Sequence, residues 1–266
     1  MNAYYQFLHR QVNDDASVTA SYRSTIHSQG AWSEAEQHMA VATGVITAEL
    51  EQFNPRPEMQ WGRISLDILG MIHFGEFTIT TRVIRPGKTI ELVESIMASN
   101  GRPCIEARAW RILKHDTDFI AGIEDQNIGH PAELPDWVGM KHWPGGYIAS
   151  LQVKAHPDRR AGKGIVWLNT PIEMVEGQET SDFVHIIGLI DTANGIVPRR
   201  GSDRSWGYPN LDLQIHLHRI PQGRWLGLET TQQYGSSGIG LTSSILHDVH
   251  GPFGHSEQIL TVRPLS

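Results

Sequence analysis

The sequence predicts an α+β protein made of two similar halves, each a long helix wrapped by a curved antiparallel β-sheet. Three observations carry this. First, apolar and polar residues alternate with period two over Tyr208–Arg219, and strand-like runs follow at Trp225–Tyr234, Gly238–His247 and Phe253–Val262. The joints Pro221-Gln222-Gly223, Gly235-Ser236-Ser237 and His250-Gly251-Pro252 have turn chemistry, so these runs predict a four-stranded meander. Second, a similar meander is predicted earlier, over Phe77–Ile84, Thr89–Ser99 and Pro103–Leu113, with turns at Pro86-Gly87 and Asn100-Gly101. Third, a helix-like stretch precedes each meander, at 33–53 and at 181–196. A helix that buries its apolar side against one face of a sheet satisfies both elements.

Taken in order, residues 1–17 are polar and read as loop or irregular helix, and Val18–His27 reads as a strand. Ser33 is a fitting N-cap for the first helix, with Glu36 at capping-box spacing; Met39, Val45, Ile46 and Leu50 belong to its apolar side, and Pro55 and Pro57 stop it. Gln60–Leu69 reads as a strand. His115–Gly146 holds Pro131, Pro135 and Pro144 and has little periodicity. A connection this long favours a boundary, giving halves at 1–114 and 146–266 joined by 115–145. Tyr147–Lys154 and Gly164–Asn169 read as strands, and Ser181–Ile196 as the second helix, ended by Pro198. The order of elements repeats, and two stretches resemble their counterparts: RVIRPGKTIELVES from Arg82 with LHRIPQGRWLGLETT from Leu217, and NGRPCIEARAWRIL from Asn100 with HGPFGHSEQILTVRPL from His250.

Composition excludes several classes. A net charge of −7 and 19% charged residues offer no basic face for non-specific nucleic-acid binding. The single Cys104 rules out a disulfide framework and a zinc site built on several thiolates. No secretory signal and no apolar run of about 18 residues is present, so a cytoplasmic protein that does not span a membrane is expected. His216 and His218 share one side of a strand, and His247, Asp248, His250 and His255 surround a hairpin; among 14 histidines such neighbours arise by chance, and no metal is predicted.

The polar groups that stand out are Asp212, midway along the first strand of the second meander, and Gln258 on its last strand. Strict alternation puts them on opposite faces, so a shared site requires a bulge or a sharp bend. Glu36 and His38 could be acid/base groups, although capping explains Glu36 better. Asp182 reads as a helix-start carboxylate.

These motifs together resemble the type II acyl-CoA thioesterases, a family with a double hot-dog fold. The resemblance is carried by SDF at 181–183, NLDLQIHLHR at 210–219, the strand from Trp225, HDVHG at 247–251 and Gln258, and in the first half by GAWSEAEQHMAVATGVI and VIRPGKTIELVES. It implies hydrolysis of an acyl-CoA thioester through a water held by an Asp, a Gln and a hydroxyl. On that resemblance Asp212 matches the Asp and Gln258 the Gln. The third position is Gln233 by ungapped spacing from Trp225, or Thr231 by matching Glu229-Thr230-Thr231. Backbone N–H groups at a helix start, near Ser33 or Ser181, would polarise the carbonyl. The expected partner is an acyl-CoA substrate; a homo-oligomer is compatible with this, and no cofactor, metal, nucleic acid or membrane is expected. The alternative is a non-catalytic acyl-binding module on the same fold. A hot-dog hydratase would need an Asp and a His in a Gly-Asp-x-Asn-Pro type segment, which is absent.

Overall fold

The computed structural model describes residues 2–199 and 205–265. Its first six strands are β1 (Ala3–Val12), β2 (Val18–Ser24), β3 (Met59–Ile68), β4 (Glu76–Arg85), β5 (Ile90–Ser99) and β6 (Arg102–Leu113), with helix α1 (Met39–Gln52) between β2 and β3. After an irregular stretch come α2 (Gly146–Ser150), β7 (Gln152–Ala155), β8 (Lys163–Asn169), β9 (Glu173–Val175), α3 (Asp182–Ile187) and α4 (Ala193–Ile196). The chain closes with β10 (Trp206–Gly207), β11 (Asp212–Leu217), β12 (Leu226–Tyr234), β13 (Ile239–Asp248), β14 (Gly251–Thr261) and β15 (Arg263–Pro264).

Thirteen strands form one sheet in the order β7-β8-β12-β13-β14-β11-β3-β6-β5-β4-β2-β1-β9, and β10 pairs with β15 separately. Among the described residues every strand pairing is antiparallel except β1 with β9. The meanders share one topology: β3 lies beside β6, then β5 and β4, as β11 lies beside β14, then β13 and β12. β3 and β11 also pair with each other, Leu66 opposite Leu213 and Ile64 opposite Ile215, and this apolar seam joins the meanders. The repeat therefore matches β11 with β3. Aligning the stretch from Arg82 with that from Leu217 sets the β4–β5 turn against the β11–β12 connection, one strand out of step.

α1 lies against β4 and β5 and crosses α3, and Met39 to Leu50 are buried on every side. Such a helix is a core element, not an amphipathic surface one. It starts later than Ser33 predicts. Residues 29–37 are drawn into isolated bridges, Gln29 with Gln37 and Glu36 with His73, and His38 is the N-cap. Residues 3–12 are strand, not loop, because β2 and β9 flank them and Ala3, Tyr4 and Tyr5 are buried. Tyr147 lies in α2, and of its predicted strand, Tyr147–Lys154, only Gln152–Lys154 is extended, within β7.

The second helix is not long. α3 ends at Gly188, a 3-10 turn covers Ile190–Thr192, and α4 is a single turn. The fold thus holds one long helix and one broken one. The break has a cause in packing: a β-carbon on Gly44 would stand 3.1 Å from Gly188 Cα and overlap the Met174 side chain. Glycine on both helices allows the close crossing, at the expense of helix propensity in the second.

Candidate active site

The crossing fixes which ends meet. Ser181, capping α3, donates to Glu51 Oε2 near the end of α1 (2.7 Å). At the opposite end His38, capping α1, faces Asp191 beyond α3, with Nδ1 3.7 Å from Oδ2. The helices are therefore antiparallel, and the start of α1 meets the broken part of the second helix. A cavity of about 230 Å³ opens there. Asp191, Asn210 and His38 line it, and so do Trp32, Trp143 and Tyr208, whose rings stand edge-on with centroids 5.3, 5.7 and 6.1 Å apart. A larger hollow of about 390 Å³ at the far end of α1 carries Glu51, Arg56, Arg111 and Lys114 and no comparable cluster of carboxylate and amides.

Asp191 is 5% exposed. Its Oδ1 accepts hydrogen bonds from Asn210 Nδ2 and Gln258 Nε2, each 2.8 Å. No hydrogen bond from the described residues reaches Oδ2, the oxygen that faces His38. Burial pushes the Asp191 carboxyl up to about 6, while the two amides pull it down. With Nε2 donating to Asp191, Gln258 has Oε1 left over, buried and without a partner. An orphaned buried acceptor beside a carboxylate oxygen is a place for a water that donates to both.

The strands explain these orientations. On β14, Ser256, Gln258 and Leu260 are buried, whereas His255 and Ile259 are exposed, so Gln258 points inward. Asn210 bridges Leu260, whereas Gln214 pairs with Glu257, so one extra residue is accommodated between Asn210 and Gln214. That bulge turns Asn210 inward, ahead of the buried Leu213 and Ile215. Gln232 on β12 also faces inward and donates to Asn194 O (2.9 Å), and Asn194 Nδ2 donates to Tyr208 O (2.9 Å). This chain braces α4 and the approach to Asn210.

Of the residues matched to the water-holding set, only Gln258 reaches this cluster; His38, read as a possible acid/base group, also lines the cavity. Asp212 alternates with the buried Leu213 and Ile215, so its carboxylate lies on the other face of the sheet. There it accepts from Ile259 N (2.8 Å) and Gln214 Nε2 (3.2 Å). The bulge serves Asn210 instead. Thr231 and Gln233 lie on the outer side of β12 with Glu229, because Thr230 and Gln232 are the buried residues. Glu36 caps no helix; its Oε1 accepts from Trp32 N (3.2 Å), and burial raises its pKa. Sequence reasoning missed Asp191 and Asn210, and singled out His38 only as a possible acid/base group. The signal for Asp191 was present: a lone carboxylate inside the apolar run IIGLIDTANGI, where an acid is rarely buried without a task. Among the described residues no three metal-ligating side chains converge, and no described helix is long and apolar enough to cross a membrane.

Two meanders of one topology, paired along β3 and β11 and packed against one long helix and one broken one, have the architecture of the hot-dog fold. The family model for the acyl-CoA thioesterase N-terminal domain matches residues 28–112, and that for the C-terminal domain matches residues 128–262. The chain belongs to this acyl-CoA thioesterase family. No curated protein matches it in sequence. Among solved structures it is similar to a hot-dog protein of unknown function from Alicyclobacillus acidocaldarius (10% identity, 97% of each chain, TM-score 0.74). It is also similar to an acyl-CoA thioesterase II from Mycobacterium marinum (15% identity, 97% of this chain and 96% of that one, TM-score 0.66). At these identities the likeness establishes the fold. The same fold occurs in the CurJ dehydratase (10% identity, 98% of this chain and 97% of that one, TM-score 0.60), so fold alone does not choose the reaction.

Proposed function

We propose that the protein hydrolyses an acyl-CoA thioester, with Asp191 as general base and with Gln258 and Asn210 holding it and its water. The observation that carries this is the two-amide grip on Asp191 Oδ1, which leaves Oδ2 and the unpartnered Gln258 Oε1 for one water. The water oxygen attacks the thioester carbon while its proton passes to Asp191 Oδ2. The tetrahedral oxyanion then collapses, the C–S bond breaks, and the CoA sulfur leaves with the proton from Asp191. Products are the free acid and CoA, and the carboxylate is regenerated.

The carbonyl would be polarised at the start of α1. Met39 is the first residue of the helix and lines the cavity, and its N–H has no partner among the described residues. The Ser181 end of α3 lies at the far end of the crossing, beside Glu51. The division into halves 1–114 and 146–266, with 115–145 as connection, suits this site, because the start of α1 supplies one wall and the second half the base.

Incubating the protein with acyl-CoA esters of graded chain length and reading free thiol tests the reading. Short and medium acyl groups are expected to turn over faster than palmitoyl, since the cavity, at about 230 Å³, is smaller than the roughly 300–1,000 Å³ of most small-molecule sites. Binding of acyl-CoA without thiol release would favour the non-catalytic alternative. The pH profile has a fixed sign. Asp191 acts as a base only when ionised, and burial raises its pKa to about 6. The plot of kcat against pH should rise through about 6 and level off above it. A profile that falls over that range would contradict the assignment.

A further inference from the structure

The group facing the free oxygen of Asp191 has no role in that mechanism. His38 caps α1, its Nδ1 accepting the N–H of Ala40 (3.1 Å), and its ring packs on Tyr147 with centroids 4.2 Å apart. A ring nitrogen that accepts a backbone N–H carries the lone pair, so the proton of the neutral ring is on Nε2. The 3.7 Å separation between Nδ1 and Asp191 Oδ2 is then a contact of two acceptors and not an ion pair. Nε2 has no hydrogen-bond partner among the described residues, and His38 lines the cavity with 15% of its side chain exposed. A neutral N–H donor therefore stands in the cavity wall beside the proposed base. A reacting carbon within reach of a base on one side needs an oxyanion donor on the other.

We propose that His38 Nε2–H donates a hydrogen bond to the thioester carbonyl oxygen and to the oxyanion that forms from it, beside the free N–H at the start of α1. Burial holds the His38 pKa at about 3, so the ring remains a neutral donor throughout the working range. It neither takes a proton from water nor gives one up. The inference rests on the hydrolase reading above.

His38→Ser separates this role from capping, because serine is a favoured N-cap but cannot reach a carbonyl in the cavity. The expected result is a loss in kcat of about a hundred- to a thousandfold, with KM little changed and the pH midpoint set by Asp191 unmoved. His38→Gln, which can accept from Ala40 N and still donate, should recover much of the rate. A parent that releases CoA normally while His38→Ser keeps its kcat overturns the role of His38 alone. A parent that hydrolyses no acyl-CoA overturns the hydrolase reading first. A second measurement needs no His38 variant: ¹⁵N NMR of the His38 ring in Asp191→Asn protein. The expected result is the Nε2–H form, with its proton moving downfield when acyl-CoA binds. An Nδ1–H ring, an imidazolium, or no response to acyl-CoA overturns the proposal.

Discussion

Asp191→Asn is expected to lower kcat for acyl-CoA hydrolysis about 10²–10⁴-fold, the usual worth of a general base. The substitution is nearly isosteric. Its remaining oxygen can still accept from Asn210 and Gln258, so the cluster stays assembled while the atom that would take the proton becomes an amide nitrogen. Thermal stability should hold or rise, since a buried carboxylate whose pKa burial has raised is replaced by a neutral group. Asp212→Asn is the matched control. Its carboxylate lies on the opposite face of the sheet, bonded to Ile259 N and Gln214 Nε2, so kcat should change only a few-fold. A large loss in Asp212→Asn together with none in Asp191→Asn would reverse the assignment.

Arg111→Leu is expected to destabilise the fold by about 3–5 kcal/mol, the cost of stranding one partner of a buried ion pair. Arg111 and Glu91 have side chains only 4% and 6% exposed. Arg111 Nε donates to Glu91 Oε2 (2.5 Å), and Nη1 donates to Asn54 O (2.9 Å), where the chain leaves α1. Its guanidinium is the closer of two on Glu91, Arg56 Nη1 lying 3.4 Å from Oε1, and it also satisfies a carbonyl at the negative end of the central helix. In a chain of this size the expected fall in Tm is roughly 2–4 °C per kcal/mol. Calorimetry of Arg111→Leu and of Arg111→Leu/Glu91→Leu makes the check, because the double variant removes the stranded charge and should regain part of the loss. A single variant as stable as the parent would contradict this account.

The strands were readable from the sequence because alternation and turn chemistry are local. β4, β5, β6 and β11–β14 lie close to where period two and the Asn-Gly or Gly-Pro joints put them. The start of α1 was not, because Ser33 and Glu36 satisfy a capping box locally, while the bridges of Gln37 and Glu36 to distant backbone claim that segment instead. The break in the second helix comes from Gly188 meeting Gly44, a contact between residues far apart in sequence. The predicted site residues are parted in space for a related reason. Asp212 is one of the polar residues of an alternating strand, and that alternation sends it to the outer face. Asp191 lies in what reads as continuous apolar helix, and Asn210 faces inward only through a bulge set by pairing with β14. Gln258 faces the cavity because its strand phase turns it inward with Ser256 and Leu260. At Gln232 and Gln233 a single step along the strand separates a brace of the site from a residue on the outer side.

The most direct test of the central claim, that Asp191 activates a water for attack on the thioester, is a single turnover of excess enzyme with acyl-CoA in H₂¹⁸O. The predicted result is free CoA, one ¹⁸O in the released acid, and none in the peptide containing Asp191. Label in the Asp191 carboxylate after that first turnover would mean that Asp191 attacks the acyl group itself, and the absence of CoA release would mean that the cluster does not hydrolyse thioesters; either result would contradict the account.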